Sequence, residues 1–178
     1  MKIFDIIPRV IPCLLLKGQG LYKGKNFKNH RYIGDPINTV RIFNEKKADE
    51  LVFFDIESTR RGNIIFDLIK QIAGECFMPF AYGGGIRNLF QIEELIKLGV
   101  EKVVINTHGI LNKNFFEESV KEFGSSSISF CLDYKKDIIG RKRVYINSGT
   151  TKTNFDPINL IKILNDIGVG EIIINSIE

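Results

Sequence analysis

The 178-residue chain has no tryptophan, two methionines, two histidines and three cysteines, Cys13, Cys76 and Cys131. An odd number of cysteines in apolar stretches, without paired ligand spacing, excludes a disulfide framework and a Cys/His metal site, and predicts three reduced thiols. His30 and His108 are far apart and read as a loop histidine and a rim histidine. No apolar run is long enough to span a bilayer and the N-terminus has no signal-peptide pattern, so the expectation is a cytoplasmic chain with no membrane partner. Charge of one sign is also missing. The 25 Lys and Arg stand against 21 Asp and Glu, a net +4 spread along the chain, with "RKR" at 141–143 the densest run. Without a long basic tract, nucleic-acid binding is not expected. No linker or compositional break divides the chain, which predicts one domain over residues 1–178.

What is present is enough apolar side chain, 44% of residues, to build a sizeable core. Short β-branched runs predict strands at 9–16, 51–56, 78–82, 102–106, 127–133 and 171–175. Segments of helical period fall at 36–47, 63–74, 88–98, 112–122 and 157–167. This βα alternation implies a parallel sheet with crossover helices. A weak repeat agrees: "KKADELVFFDI", "KLGVEKVVINT" and "DIGVGEIIINS" each end a helix, turn, open a strand on a charged residue and close it on a polar one. Residues 134–150 alternate around Gly140 and predict a hairpin inserted after the fifth strand. An open doubly wound sheet and a (β/α)8 barrel both suit the pattern.

Candidate site residues gather at strand ends. The "GGGIR" segment, 83–87, follows a strand, and its glycines would either let backbone N–H groups approach a phosphate or serve a tight turn needing positive φ. Asn106 and Thr107, closing the next strand, would stand beside Gly84 and Gly85 at the same rim and favour the phosphate reading. Asp55 and Asp133 also end strands, where a carboxylate can act as acid or base or cap the following turn. At the opposite ends, Arg9, Glu50, Lys102 and Glu171 open four strands and would form a ring of alternating sign in a barrel. Steps of two residues from them reach mainly apolar positions. Such charges at the amino-terminal face are also read as simple stabilisers of a barrel.

The stretches "RVIPCLLLKGQGLYKGKNFKNHRYIGDP", "ADELVFFDI", "PFAYGGGIR", "GVEKVVINT", "CLDY" and "GVGEIIINS" resemble, in order, the successive βα units of the cyclase subunit of imidazole glycerol phosphate synthase. The resemblance covers nearly the whole chain. It implies a (β/α)8 TIM-barrel, a lyase-type synthase reaction in histidine biosynthesis, no cofactor and no metal, and a partner glutaminase that supplies ammonia. It assigns Gly84, Gly85, Asn106 and Thr107 to a phosphate site for a phosphorylated small molecule. Asp133 matches a catalytic aspartate, Lys23 a lysine that closes over substrate, and Asp55 a substrate-contacting carboxylate. Arg9, Glu50, Lys102 and Glu171 match an ammonia gate, and Glu101 a carboxylate facing the partner.

Two departures shape the expectation. Leu15 stands where the family carries its other catalytic aspartate, and a leucine cannot move a proton; loss of a general acid or base typically costs about 10²- to 10⁴-fold in rate. The substitution, with "LLLK" and "GDPIN", resembles a paralogous branch that supplies ammonia to an enzyme amidating a cell-surface sugar. The chain also ends just beyond its sixth βα unit, whereas a barrel of this type has eight in usually about 200 residues or more; the expectation is a barrel truncated after strand six. The reading is therefore a cyclase-like subunit delivering ammonia to a sugar amidotransferase. The alternatives are a histidine-biosynthesis cyclase proper or a non-catalytic phosphate-binding and docking fragment.

Overall fold

A computed structural model describes residues 8–177. Six parallel strands form the frame in the order β1 (Cys13–Lys17), β4 (Leu51–Asp55), β5 (Phe80–Gly83), β6 (Lys102–Ile105), β7 (Ile128–Lys136) and β10 (Glu171–Ser176). Each of the first five is followed by helix or hairpin. The crossover helices are α1 (Pro36–Glu45), α3 (Phe66–Glu75), α4 (Leu89–Lys97), α6 (Lys113–Phe123) and α7 (Pro157–Ile167), with two short helices, α2 (Ser58–Arg61) and α5 (Thr107–Leu111). Antiparallel hairpins rise from the carboxyl-terminal ends of two strands. One is β2 (Gly20–Lys25) with β3 (Lys28–Gly34), after β1; the other joins the extended end of β7 to β8 (Lys142–Ile146), which pairs in turn with β9 (Thr151–Lys152).

This is the alternating α/β architecture of a (β/α)8 TIM-barrel, left open: among the described residues β1 and β10 share no ladder. The edge of β1 away from β4 is nevertheless paired with β2 over Leu15–Lys17. Strand one begins later than the apolar run suggests because Pro12 has no N–H to donate; its carbonyl still accepts from the Val52 amide at 3.0 Å.

The period-two alternation of the strands separates two apolar layers. Leu14, Leu16, Phe53, Tyr82, Val103, Ile105, Phe130 and Leu132 face outward and are buried with Val40, Ile69, Ile72, Ile92, Leu95 and Phe116 of the helices. Val52, Ala81, Val104 and Cys131 face the other way and pack with Ile11, Phe54 and Ile173. That second, smaller cluster is the wall of a bore with charged side chains at one end and a cavity at the other.

Helix starts follow from the local sequence. Asp35 and Asp156 cap α1 and α7, accepting from Asn38 N at 2.9 Å and Asn159 N at 3.1 Å, each with proline at the first helical position. Asn88 caps α4 in the same way through Gln91 N. The stretch from 63 to 65, read as helical in the sequence, instead connects α2 to α3.

Candidate functional site at the carboxyl-terminal rim

A cavity of about 370 Å³ opens where the strands end. Its floor is the top of the bore: Leu15 from β1, Phe54 from β4, Gly83 from β5, Val104 from β6 and Cys131 from β7. Asp55, Gly84, Gly85, Asn106, Thr107, Asp133 and Asn175 also line it, so the structure brings together every rim residue singled out in the sequence.

Asp133, on β7, is buried and lines the cavity. Its neighbours are fixed by the sequence repeat: "VVINT" and "IIINS" place Asn106 and Asn175 at equivalent strand ends, and the order β6–β7–β10 sets those strands on either side of Asp133. Asn106 Nδ2 donates to Oδ2 at 3.0 Å and Asn175 Nδ2 to Oδ1 at 2.9 Å, with the Cys131 thiol 3.7 Å from Oδ1. Burial raises the Asp133 carboxyl above its ordinary value, and the bonds from Asn175, Cys131 and Asn106 only partly oppose that. A buried carboxyl poised upward in this way can hold or release a proton. Cys131 is pushed well above its ordinary value by burial and by the Asp133 charge, so it stays a thiol.

Leu15, in the same lining, offers only methyl groups, and among the described lining residues the one other carboxylate is Asp55. Its Oδ1 accepts from Glu57 N and Ser58 N, both at 3.0 Å, and its Oδ2 accepts from Arg61 Nη2 at 2.6 Å. Both oxygens thus serve the turn after β4. Tyr82, whose hydroxyl is 3.5 Å from Asp55 Oδ2, is held far up by burial and by that negative charge, and remains a phenol.

The glycine loop is shaped by contact with that same turn. Gly84 has φ +125° and Gly85 φ +70°; a Cβ on Gly84 would collide with the Asp55 carbonyl oxygen, and one on Gly85 would lie 2.8 Å from Ser58 Cβ. Close approach and positive φ therefore require glycine here whether or not a phosphate binds. The loop does not open a helix directly, because α4 starts only at Leu89 behind its Asn88 cap. Thr107 donates to Asn106 Oδ1 at 3.0 Å and accepts from Asn147 N at 3.0 Å, tying the rim to the second hairpin.

Lys23 is not brought to the cavity. It is exposed on β2 and lines a shallow groove with Lys25, Asn29 and Arg31; plain alternation would put it on the face of buried Leu21, but the pairing of β2 with β3 shifts register between Leu21 and Tyr22 and interrupts that alternation. Phe27, His30, Arg87, Asn147 and Ser148 line the cavity instead, and sequence reasoning did not select them. Desolvation and the nearby Arg87 charge lower His108 from its ordinary value, which keeps it neutral. Among the described residues no cluster of His, Cys, Asp and Glu is arranged to hold a metal ion, and no helix is long and apolar enough to cross a membrane.

At the other end of the bore, four side chains form a closed cycle of ion pairs. Arg9 donates to Glu50 at 3.1 Å and to Glu171 at 3.0 Å; Lys102 Nζ donates to both Glu50 oxygens at 3.1 Å and to Glu171 at 3.0 Å. Burial pulls Lys102 down, but its bonds to Glu171 and Glu50 and their charges more than offset it, so it is raised and stays an ammonium. The Arg9–Glu171 pair joins the segment before β1 to the start of β10 through their side chains, across the open side of the sheet. Glu101, next to Lys102, is exposed on the same amino-terminal face.

The family described as "Histidine biosynthesis protein" matches residues 9–178. A Pseudomonas aeruginosa protein whose provisional name is imidazole glycerol phosphate synthase subunit hisF2 is 45% identical over 96% of this chain and 68% of its own length. A Vibrio vulnificus protein provisionally named subunit hisF3 of the same synthase is 41% identical over all of this chain and 70% of its own. Imidazole glycerol phosphate synthase subunit HisF of Hydrogenobaculum sp. is 39% identical over 96% and 68%. With a curved parallel sheet, a cavity at its carboxyl-terminal rim and these relatives, the chain belongs to the histidine biosynthesis protein family, among its proteins of the imidazole glycerol phosphate synthase cyclase type.

Proposed function

We propose that this chain is a cyclase-type subunit working in the cytoplasm with a glutaminase partner, and that it delivers ammonia for amidation of a cell-surface sugar rather than closing an imidazole ring itself. The observation that carries this reading is Leu15 in the cavity wall where an acid or base besides Asp133 would be needed. Ring closure with ammonia moves protons on two sides of the reacting carbons, and this cavity has one carboxylate free of structural duty.

Delivery needs less. Ammonia is neutral, and an apolar wall of Ile11, Val52, Ala81, Val104 and Ile173 favours NH3 over NH4+. From Arg9 to Leu15 the chain covers six residues, a path of about 20 Å. The cycle of Arg9, Glu50, Lys102 and Glu171 would act as the gate, and Glu101 beside it as a contact to the glutaminase. At the rim, Gly84, Gly85, Asn106 and Thr107 would hold a phosphorylated small molecule, Asp55 would touch it through the turn it organises, and Lys23 would reach the cavity only if its hairpin moved.

The second reading, a histidine-biosynthesis cyclase proper, is favoured by the names of the relatives and by the clamped, upward-poised Asp133. Tracing label from [amide-15N]glutamine separates the two, with the chain, its glutaminase and either the cyclase substrate or a sugar amidotransferase with its sugar. Label in the sugar amide and none in an imidazole supports delivery; label in the imidazole overturns it.

A further inference from the structure

The two hairpins meet above the cavity. Phe27, in the turn of β2–β3, has φ +60°, a left-handed conformation that is costly for a bulky residue. Its ring lies against Gly149 in the turn after β8, where an added Cβ would come 3.0 Å from it. The hairpins are thus clasped into one surface around the cavity mouth.

That surface is strongly basic. Residues 17–34 hold five Lys and Arg and no carboxylate; residues 134–152 hold six against Asp137 alone. The two segments carry eleven of the 25 basic side chains in a protein of net +4, so the rest of the molecule is net acidic. Several of these cations also make contacts within the chain: Lys17 with Glu57 at 3.6 Å, Arg141 with Asp137 at 3.0 Å, Lys135 with the Gly149 carbonyl at 2.7 Å, and Lys142 over the Tyr134 ring.

At the tip of the β7–β8 hairpin stand Ile138 and Ile139, 103% and 66% exposed. The turn does not need them. It is closed by Asp137, which accepts from Ile139 N at 3.1 Å and Arg141 N at 2.9 Å, and by Gly140 at φ +79° donating to the Asp137 carbonyl at 2.9 Å. Polar residues suit such a position better. Two adjacent exposed apolar side chains on a hydrogen-bonded turn, with Lys135, Lys136, Arg141, Lys142 and Arg143 on the strands below, have the form of a hot spot for a socket on a partner. At the tip itself the aliphatic pair offers no face on which a base can stack, and the one large aromatic side chain exposed on the hairpins among the described residues is Tyr32, packed edge-on against Tyr22, which favours a protein over a nucleic acid. Mutual repulsion of two such basic faces argues against a second copy of this chain.

We infer that this clasped pair of hairpins is the docking surface for an acidic protein partner, the ammonia-consuming amidotransferase, which seats Ile138 and Ile139 in an apolar socket and so caps the cavity mouth. The inference rests on the delivery reading, and names where the acceptor sits.

The test titrates purified sugar amidotransferase from the same cell against the full chain in complex with its glutaminase, alongside Ile138→Asp/Ile139→Asp and, as a control of equal chemistry on α7, Ile158→Asp. The wild type and the control should bind equally, with affinity falling steeply as salt rises, and the double variant should bind at least about tenfold more weakly. Equal binding by all three, or no binding by the wild type, overturns the inference. So does a surface that binds single-stranded DNA or a second copy of the chain in preference to the amidotransferase. Label transfer to sugar without measurable docking would overturn the docking surface and leave delivery standing. Tight, Ile-dependent docking without label transfer would sink delivery and keep the surface.

Discussion

Asn175 stands directly across from Asp133 on the neighbouring strand, and its amide donates to Asp133 Oδ1 at 2.9 Å. With Asn106 on the other side, the carboxylate is held between two donors that favour its charged form, in a buried setting that disfavours it. Burial wins, so the native group keeps its proton to a higher pH than the unfolded one. The contribution of Asp133 to stability is therefore full below the ordinary value of 3.8 and declines as pH rises through the raised native value.

Removing one donor tips this balance further. Asn175→Leu should raise the Asp133 pKa again, read from its carboxyl carbon shift in an NMR titration, and should steepen the loss of stability on raising pH through that region. An unchanged or lowered pKa would show that the amide does not govern the carboxylate.

The ion-pair cycle makes a sharper demand on stability. Glu50 is only 2% exposed, and Lys102→Met would leave it facing Arg9 alone. Breaking a buried pair by removing one partner typically costs about 3–5 kcal/mol, whereas removing both is much milder. Lys102→Met should therefore unfold at markedly lower denaturant than Lys102→Met/Glu50→Gln. If the double variant is no better than the single, the cycle does not act as a coupled unit.

Docking at the amino-terminal face is tested by charge. Glu101→Lys replaces attraction by repulsion at an exposed rim and should slow association with the glutaminase and lower its stimulated glutamine hydrolysis, with little change in thermal stability. Equal association rates for wild type and variant would leave the ion-pair cycle as a stabilising feature only.

The sequence disclosed most of the frame and part of the site, for identifiable reasons. Strand ends such as Asn106, Asp133 and Asp55 were legible because polar residues closing apolar runs have few other places to go. Asn175 carried the same signal as Asn106 through the repeat, yet its bond to Asp133 depends on β10 lying next to β7, which no local pattern encodes. Lys23 lies away from the cavity in a way the sequence did not show, because the register shift between Leu21 and Tyr22 that sets its direction arises from pairing with β3. Phe27 and Asn147 were invisible for a similar reason: they reach the cavity only because two hairpins distant in sequence fold over the same rim.

Leu15 decides the account. Cyclase turnover with free ammonia should be negligible in the native protein and should rise by about 10²-fold or more in Leu15→Asp, which returns a carboxylate to the cavity wall. The most direct measurement runs the two side by side on the cyclase substrate, with binding of that substrate confirmed for both. Turnover by the native protein equal to or above that of Leu15→Asp would contradict the claim that this barrel delivers ammonia without closing the ring.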